Sequence, residues 1–102
     1  MNLFIEEKYI NRTENCLHGV SDIYETFTDK PGELFKHLKS EFGRCTGNVY
    51  VDLKSGETKK IGWVFLKKMK YSDSPETYLQ EVWVAVYRYR PTKTIEYHYA
   101  DL

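Results

Sequence analysis

The sequence predicts a single α+β domain: one amphipathic helix on a strongly bent antiparallel meander of about five to six strands, in the order β-β-α-β-β-β-β. Three observations lead there. Apolar residues recur at helical spacing in one convincing stretch, residues 31–43. Residues 47–99 are instead rich in β-branched and aromatic side chains, broken by short polar turns. The chain has 102 residues, 41% of them apolar, which suffices for one core and not for two.

Taken in order, residues 3–10 ("LFIEEKYI") and 19–27 ("GVSDIYETF") read as N-terminal strands joined by the polar segment Asn11 to Asn15. The helix follows in "TDKPGELFKHLKSEFG". Thr28 or Asp29 can cap it, and Pro31 suits a first turn where a missing N–H costs nothing. Leu34, Phe35, Leu38 and Phe42 share one face, and Gly43 ends the helix. That stripe must be buried on something. The sheet supplies it through residues 47–53, 60–71, 78–90 and 94–99, separated by "KSGE", "SDSPET" and "RPTK". Residues 1–27, 28–43 and 47–99 thus form the strand, helix and meander parts of one domain, 1–102.

Short connections set a register. With Tyr71 opposite Tyr78, Phe65 faces Val84, Trp63 faces Val86, and Lys68 meets Glu81. With Arg90 opposite Lys93, Val86 faces Tyr97 and Val84 faces Tyr99. One face then collects Val49, Val51, Leu53, Ile61, Trp63, Phe65, Val84, Val86, Ile95 and Tyr97, and is assigned to the helix. Tyr50, Val64, Leu66, Trp83, Ala85, Tyr87, Tyr89 and His98 fall on the other, and a single bulge would exchange some of these.

Fifteen basic and fifteen acidic side chains cancel, so the chain lacks the overall charge of a nucleic-acid binder. Residues 54–93 carry a local excess of Lys and Arg. The N-terminus has no basic segment leading into a long apolar run, and no window nears the roughly eighteen apolar residues of a membrane span. A cytoplasmic protein with reduced Cys16 and Cys45 is expected.

No motif calls for a cofactor. Cys16-Leu17-His18, with Cys45 and His37 elsewhere, matches none of the usual zinc spacings, and the cysteines read as unrelated thiols. No thiolate-lowering neighbour for Cys45 is visible, and Glu6 and Glu7 alternate across a strand rather than converge. Glycine-rich phosphate loops and nucleophile elbows are absent from the sequence. The expectation is a protein that is not an enzyme and holds no metal.

"VWVAVYRYRP" interleaves aromatic and basic residues, as single-strand binders do. The pleat separates them: Tyr87 and Tyr89 go to one face, Arg88 and Arg90 to the other. One helix covers one side of a sheet, yet both sides carry Trp, Tyr, Val and Leu. The expectation is that the N-terminal hairpin covers part of the second face and leaves Trp83, Tyr87, Tyr89 and His98 to contact a protein partner or a second copy in a homodimer. The alternative is a nucleic-acid surface built from Lys67, Lys68, Lys70, Arg88, Arg90 and Lys93.

The segments "FTDKPGELFKHLKSEFGRCTGNVYVD", "GWVFLKKMKYSDSPETYLQEVWVAV" and "KTIEYHYA" resemble small, functionally uncharacterised proteins of bacteria, phages and plasmids. The resemblance implies a mobile-element setting, in which such proteins bind and redirect a host protein. It brings no functional motif with it.

Overall fold

A computed structural model describes residues 1–52, 58–91 and 97–101. It has three strands, β1 (Phe4–Asn11), β2 (Cys16–Val20) and β3 (Tyr24–Glu25), then α1 (Pro31–Phe42), then β4 (Arg44–Asp52), β5 (Thr58–Lys70), β6 (Thr77–Tyr87) and β7 (Tyr97–Asp101). All pairings are antiparallel, in the order β2-β1-β6-β5-β4-β7, with β3 on the same edge of β1 as β2. The α+β class and the bent sheet on one helix are as the sequence predicts.

The helix begins at Pro31 with Lys30 as a cap that makes no side-chain bond. Thr28, not a cap itself, braces the approach: its buried hydroxyl donates to Glu33 Oε2 at 2.8 Å and accepts the Lys30 N–H at 3.0 Å. At the other end Gly43 takes φ 99° and donates to the Lys39 carbonyl. Leu34, Leu38 and Phe42 are buried against Leu3, Ile5, Phe65, Val82 and Val84, with Phe35, Trp63 and Val86 packed around them. Burying each leucine contributes roughly 1.5–3 kcal/mol.

The hairpin β5–β6 forms with a shifted register. Met69, not Tyr71, lies opposite Tyr78, so Phe65 meets Val82 and Trp63 meets Val84. The slip is two residues, which preserves the face of every side chain. Its cause is a loop two residues shorter than expected: Tyr71 N–H bonds the Glu76 carbonyl and Glu76 N–H bonds Ser74 Oγ, so Tyr71 lies opposite Glu76 and residues 72–75 make the turn. The expected Lys68–Glu81 pair is replaced by Lys68 with Leu79 and Leu66 with Glu81.

Two further expectations are corrected. The last strand pairs with β4, Tyr97 with Val51 and Tyr99 with Val49, not with β6. Strand β6 ends at Tyr87, and Pro91, with φ fixed at about −65°, cannot take the positive φ that the first loop residue of a two-residue hairpin needs. The edge of β6 is taken by β1, from Phe4 opposite Tyr87 to Asn11 opposite Gln80. The N-terminal hairpin therefore extends the sheet in its own plane and does not fold across the second face. Expectations for Leu53, Lys93 and Ile95 lie outside the described residues.

Bulges in β4–β5, between Cys45 and Gly47 and between Val49 and Tyr50, move Val49 off the predicted helix face to a position opposite Gly62. The second face is nonetheless covered within the chain: Val49, Val64 and Ala85 are all buried there.

Gly62 lets the β6 backbone come close to β5. A Cβ there would lie 1.8 Å from the Val84 carbonyl oxygen. Gly62→Ala is expected to destabilise the domain by about 3 kcal/mol. Gly32→Ala, in the helix's first turn with nothing within 4 Å, should stabilise it by about 0.5 kcal/mol. Urea titration of both variants measures the difference, and equal midpoints would contradict the assigned contact.

Candidate functional site

Strand parity sends Glu7 to the helix side, opposite Val84, where its side chain is buried. A buried carboxylate needs donors. Tyr9 Oη donates to Glu7 Oε2 and Tyr24 Oη to Glu7 Oε1. The backbone around it is tied as well: Glu7 N–H donates to Ser21 Oγ at 2.8 Å, and Ser21 N–H donates to the Glu7 carbonyl at 2.8 Å. Burial, the bond to Glu7 and the nearby charges of Glu7 and Glu41 push both phenols above the ordinary tyrosine value. The tyrosines therefore hold their protons, and both Glu7 oxygens are engaged. Such a group fastens the β2–β3 segment to β1 and offers no vacant base.

Beside this clamp lies a cavity of about 170 Å³ between β3 and α1, lined by Tyr24, Phe27, His37 and Glu41 among others. His37 Nε2 stands 3.3 Å from Glu41 Oε2, and its ring meets Phe27 edge-on. A larger cleft of about 620 Å³ opens between the start of α1 and the ends of β5 and β6, with Pro31, Ile61, Trp63, Arg88 and Tyr89 on its walls.

The four residues expected to contact a protein do not form one stripe. Trp83 and Tyr87 share the far face of β6 but are half-buried and engaged: Trp83 Nε1 donates to Glu81 Oε1, Lys8 Nζ sits 5.5 Å from the Trp83 ring centroid, and Tyr87 Oη donates to Glu6 Oε1. Tyr89 lies past the strand end and is 76% exposed. His98 belongs to β7, opposite Tyr50, with β5 and β4 between it and β6.

The basic residues of the alternative surface divide into two groups. Lys67, Lys68 and Lys70 are exposed at one end of β5, and Lys67 reaches the Glu41 carbonyl. Arg88 bonds the Asp29 carbonyl, while Arg90 bonds the Ile23 carbonyl and lies over the Phe4 ring. Lys67 pairs with Gln80, eight residues before Arg88, which puts the groups about 26 Å apart along the strand. The described basic residues do not make a continuous track.

The second N-terminal strand, expected at residues 19–27, instead divides into β2 at Cys16–Val20 and β3 at Tyr24–Glu25, and the open edge of β2 was not foreseen. Among the described residues β2 pairs on one side alone, with β1, and it forms an edge of the sheet. Leu17 and Val20 are 58% and 67% exposed. Their partners on β1 are Ile10 and Lys8, so both lie on the far face. The strand, "CLHGV", has no Lys, Arg, Glu, Asp or Pro to discourage pairing.

Comparison with protein-family models, with curated proteins and with solved structures finds no match to this chain. Among the described residues no helix is long and apolar enough to cross a membrane.

The clamp has a measurable alkaline signature. A phenol whose folded value is raised contributes stability that is complete below its unfolded value, about 10, and is lost as pH rises through the folded value. Thermal unfolding should show no contribution from this linkage up to about pH 10, then a steep loss above it in the native chain and a shallower one in Tyr24→Phe. At neutral pH the same variant should lose about 1 kcal/mol. An unchanged alkaline slope would remove the clamp's role.

Proposed function

We propose that this chain is a small non-enzymatic binding protein that takes an extended segment of a protein partner onto the free edge of β2. The observation carrying this reading is that edge. Its outer row of backbone N–H and C=O groups is unpaired among the described strands, it lacks charged or proline blockers, and Leu17 and Val20 stand exposed beside it. Strand addition draws affinity from main-chain hydrogen bonds and specificity from alternate side chains. Leu17 and Val20 supply the apolar contacts for such a segment on the far face.

The resemblance to proteins of phages and plasmids makes a host protein, met in the cytoplasm, the partner class that fits. Tyr89 widens the contact only for a partner long enough to reach the other end of the sheet. Pairing of two β2 edges would give a homodimer by the same chemistry.

The test is capture of partners from host lysate by the native chain and by Leu17→Lys/Val20→Lys, each with and without nuclease. Both side chains are exposed, so the variant should fold. Charges on the edge should abolish the captured protein species, and nuclease should change nothing. Capture that survives the variant, or that disappears with nuclease, would refute the edge reading. The latter outcome would favour nucleic acid.

A further inference from the structure

We propose that Glu14, Cys16 and His18 form a binding site for a borderline divalent cation of the zinc class. Their candidate ligand atoms lie within 4.8 Å of one another. Donors at about 2.0–2.3 Å from one tetrahedral ion stand roughly 3.5 Å apart. Small rotations of exposed side chains close that gap.

The local structure explains how three unremarkable residues meet. Cys16 and His18 are two apart on β2 and share a face. The bulge between Tyr9 and Ile10 leaves His18 without a directly opposed partner on β1, so its ring is turned by its surroundings rather than by the ladder. Glu14 comes from the preceding turn, where Asn15 takes φ 54°. The C-x-H spacing matches no standard zinc pattern because the third donor comes from that turn and not from a second motif.

The groups behind the donors are in place already. Asn11, fully buried, accepts the Glu14 N–H on Oδ1 at 2.9 Å and donates from Nδ2 to Glu14 Oε2 at 3.0 Å. The same Nδ2 donates to Tyr71 Oη at 3.1 Å. The Glu14 carboxylate is thereby held by Asn11, and Tyr71 bonds the same carboxylate. The His18 ring meets Tyr78 edge-on at 5.5 Å, and Tyr78 packs on Tyr71 at 4.6 Å. Supporting contacts of this kind orient metal ligands. Cys45 and His37 take no part: three strands separate β4 from β2, and His37 sits on α1 beside Glu41.

A sulfur, a nitrogen and an oxygen together favour zinc or cobalt over magnesium or calcium. Cys16 binds as the thiolate, its proton passing to solvent. Three protein donors leave a fourth position for water. The ion would sit on the helix-side face of β2, away from Leu17 and Val20 on the far face.

Titration of the metal-free full chain with Co²⁺, followed by Zn²⁺, tests the site. One equivalent of Co²⁺ should produce a thiolate charge-transfer band in the near ultraviolet, and Zn²⁺ should remove it. Cys16→Ser should abolish the band, while His18→Ala and Glu14→Gln should each weaken binding by about tenfold or more. Cys45→Ser should leave it unchanged. Far-ultraviolet circular dichroism confirms that the exposed-residue variants fold. No saturable band in the native chain, a band that persists in Cys16→Ser, or a band lost in Cys45→Ser would overturn the proposal.

Discussion

Eight consecutive residue pairs join β1 to β6, and the rest of the structure depends on that ladder. It connects residues some seventy to eighty positions apart, from Asn11 with Gln80 to Phe4 with Tyr87. Closing so large a loop costs entropy before any contact rewards it. The return comes from the row of Leu3, Ile5, Val82 and Val84, buried beneath Leu34 and Leu38. Without β1, one edge of β6 would be bare and the helix would lose half of its floor. The buried Glu7 lies within the same ladder, which is why two tyrosines and a serine converge there.

Much of this was legible. The helix was, because Leu34, Leu38 and Phe42 fall in phase and Pro31 and Gly43 mark its ends. So were the faces of β5 and β6: parity survives a two-residue slip, and Trp63, Phe65, Val84 and Val86 all reach the helix side. Strand pairing was not. A short polar segment after β6 looks like a turn, but nothing local says that β1 competes for that edge. β1 offers Phe4 and Ile5 to the core and pairs with β6 along its whole length, from Phe4 to Asn11. Bulges were equally hidden. So was the close approach of the β6 backbone to Gly62, a tertiary contact with no signature beyond a glycine in a strand.

The candidate sites show the same division. Glu6 and Glu7 do alternate, as expected, and alternation is what buries Glu7 between Tyr9 and Tyr24 while Glu6 meets Tyr87 on the other face. Reading the pair only for convergence on a substrate missed the one that folds inward. Trp83 and Tyr87 were placed on the correct face, yet they are engaged by Glu81, Lys8 and Glu6. An exposed edge cannot be recognised until the order of strands is known, and that order was the least legible feature of the chain.

That order also determines where a sheet of this kind can interact. The central strands satisfy each other's backbone groups, and both of their faces carry buried side chains. Val82 and Val84 lie under the helix, and Val64 and Ala85 lie on the far side. A partner gains little there without displacing structure. Strand β2 is different: its backbone is half paired, its far-face side chains are apolar and exposed, and its near face bears Cys16 and His18. The clamp on Glu7 holds the chain just beyond β2, through Ser21 and Tyr24, so the edge is presented from a fixed frame rather than from a loose hairpin. A preformed edge lowers the ordering cost of adding a strand. The buried polar cluster and the open edge are linked through the chain: the bonds at Glu7 fix Ser21 and Tyr24, the residues into which the outer strand leads.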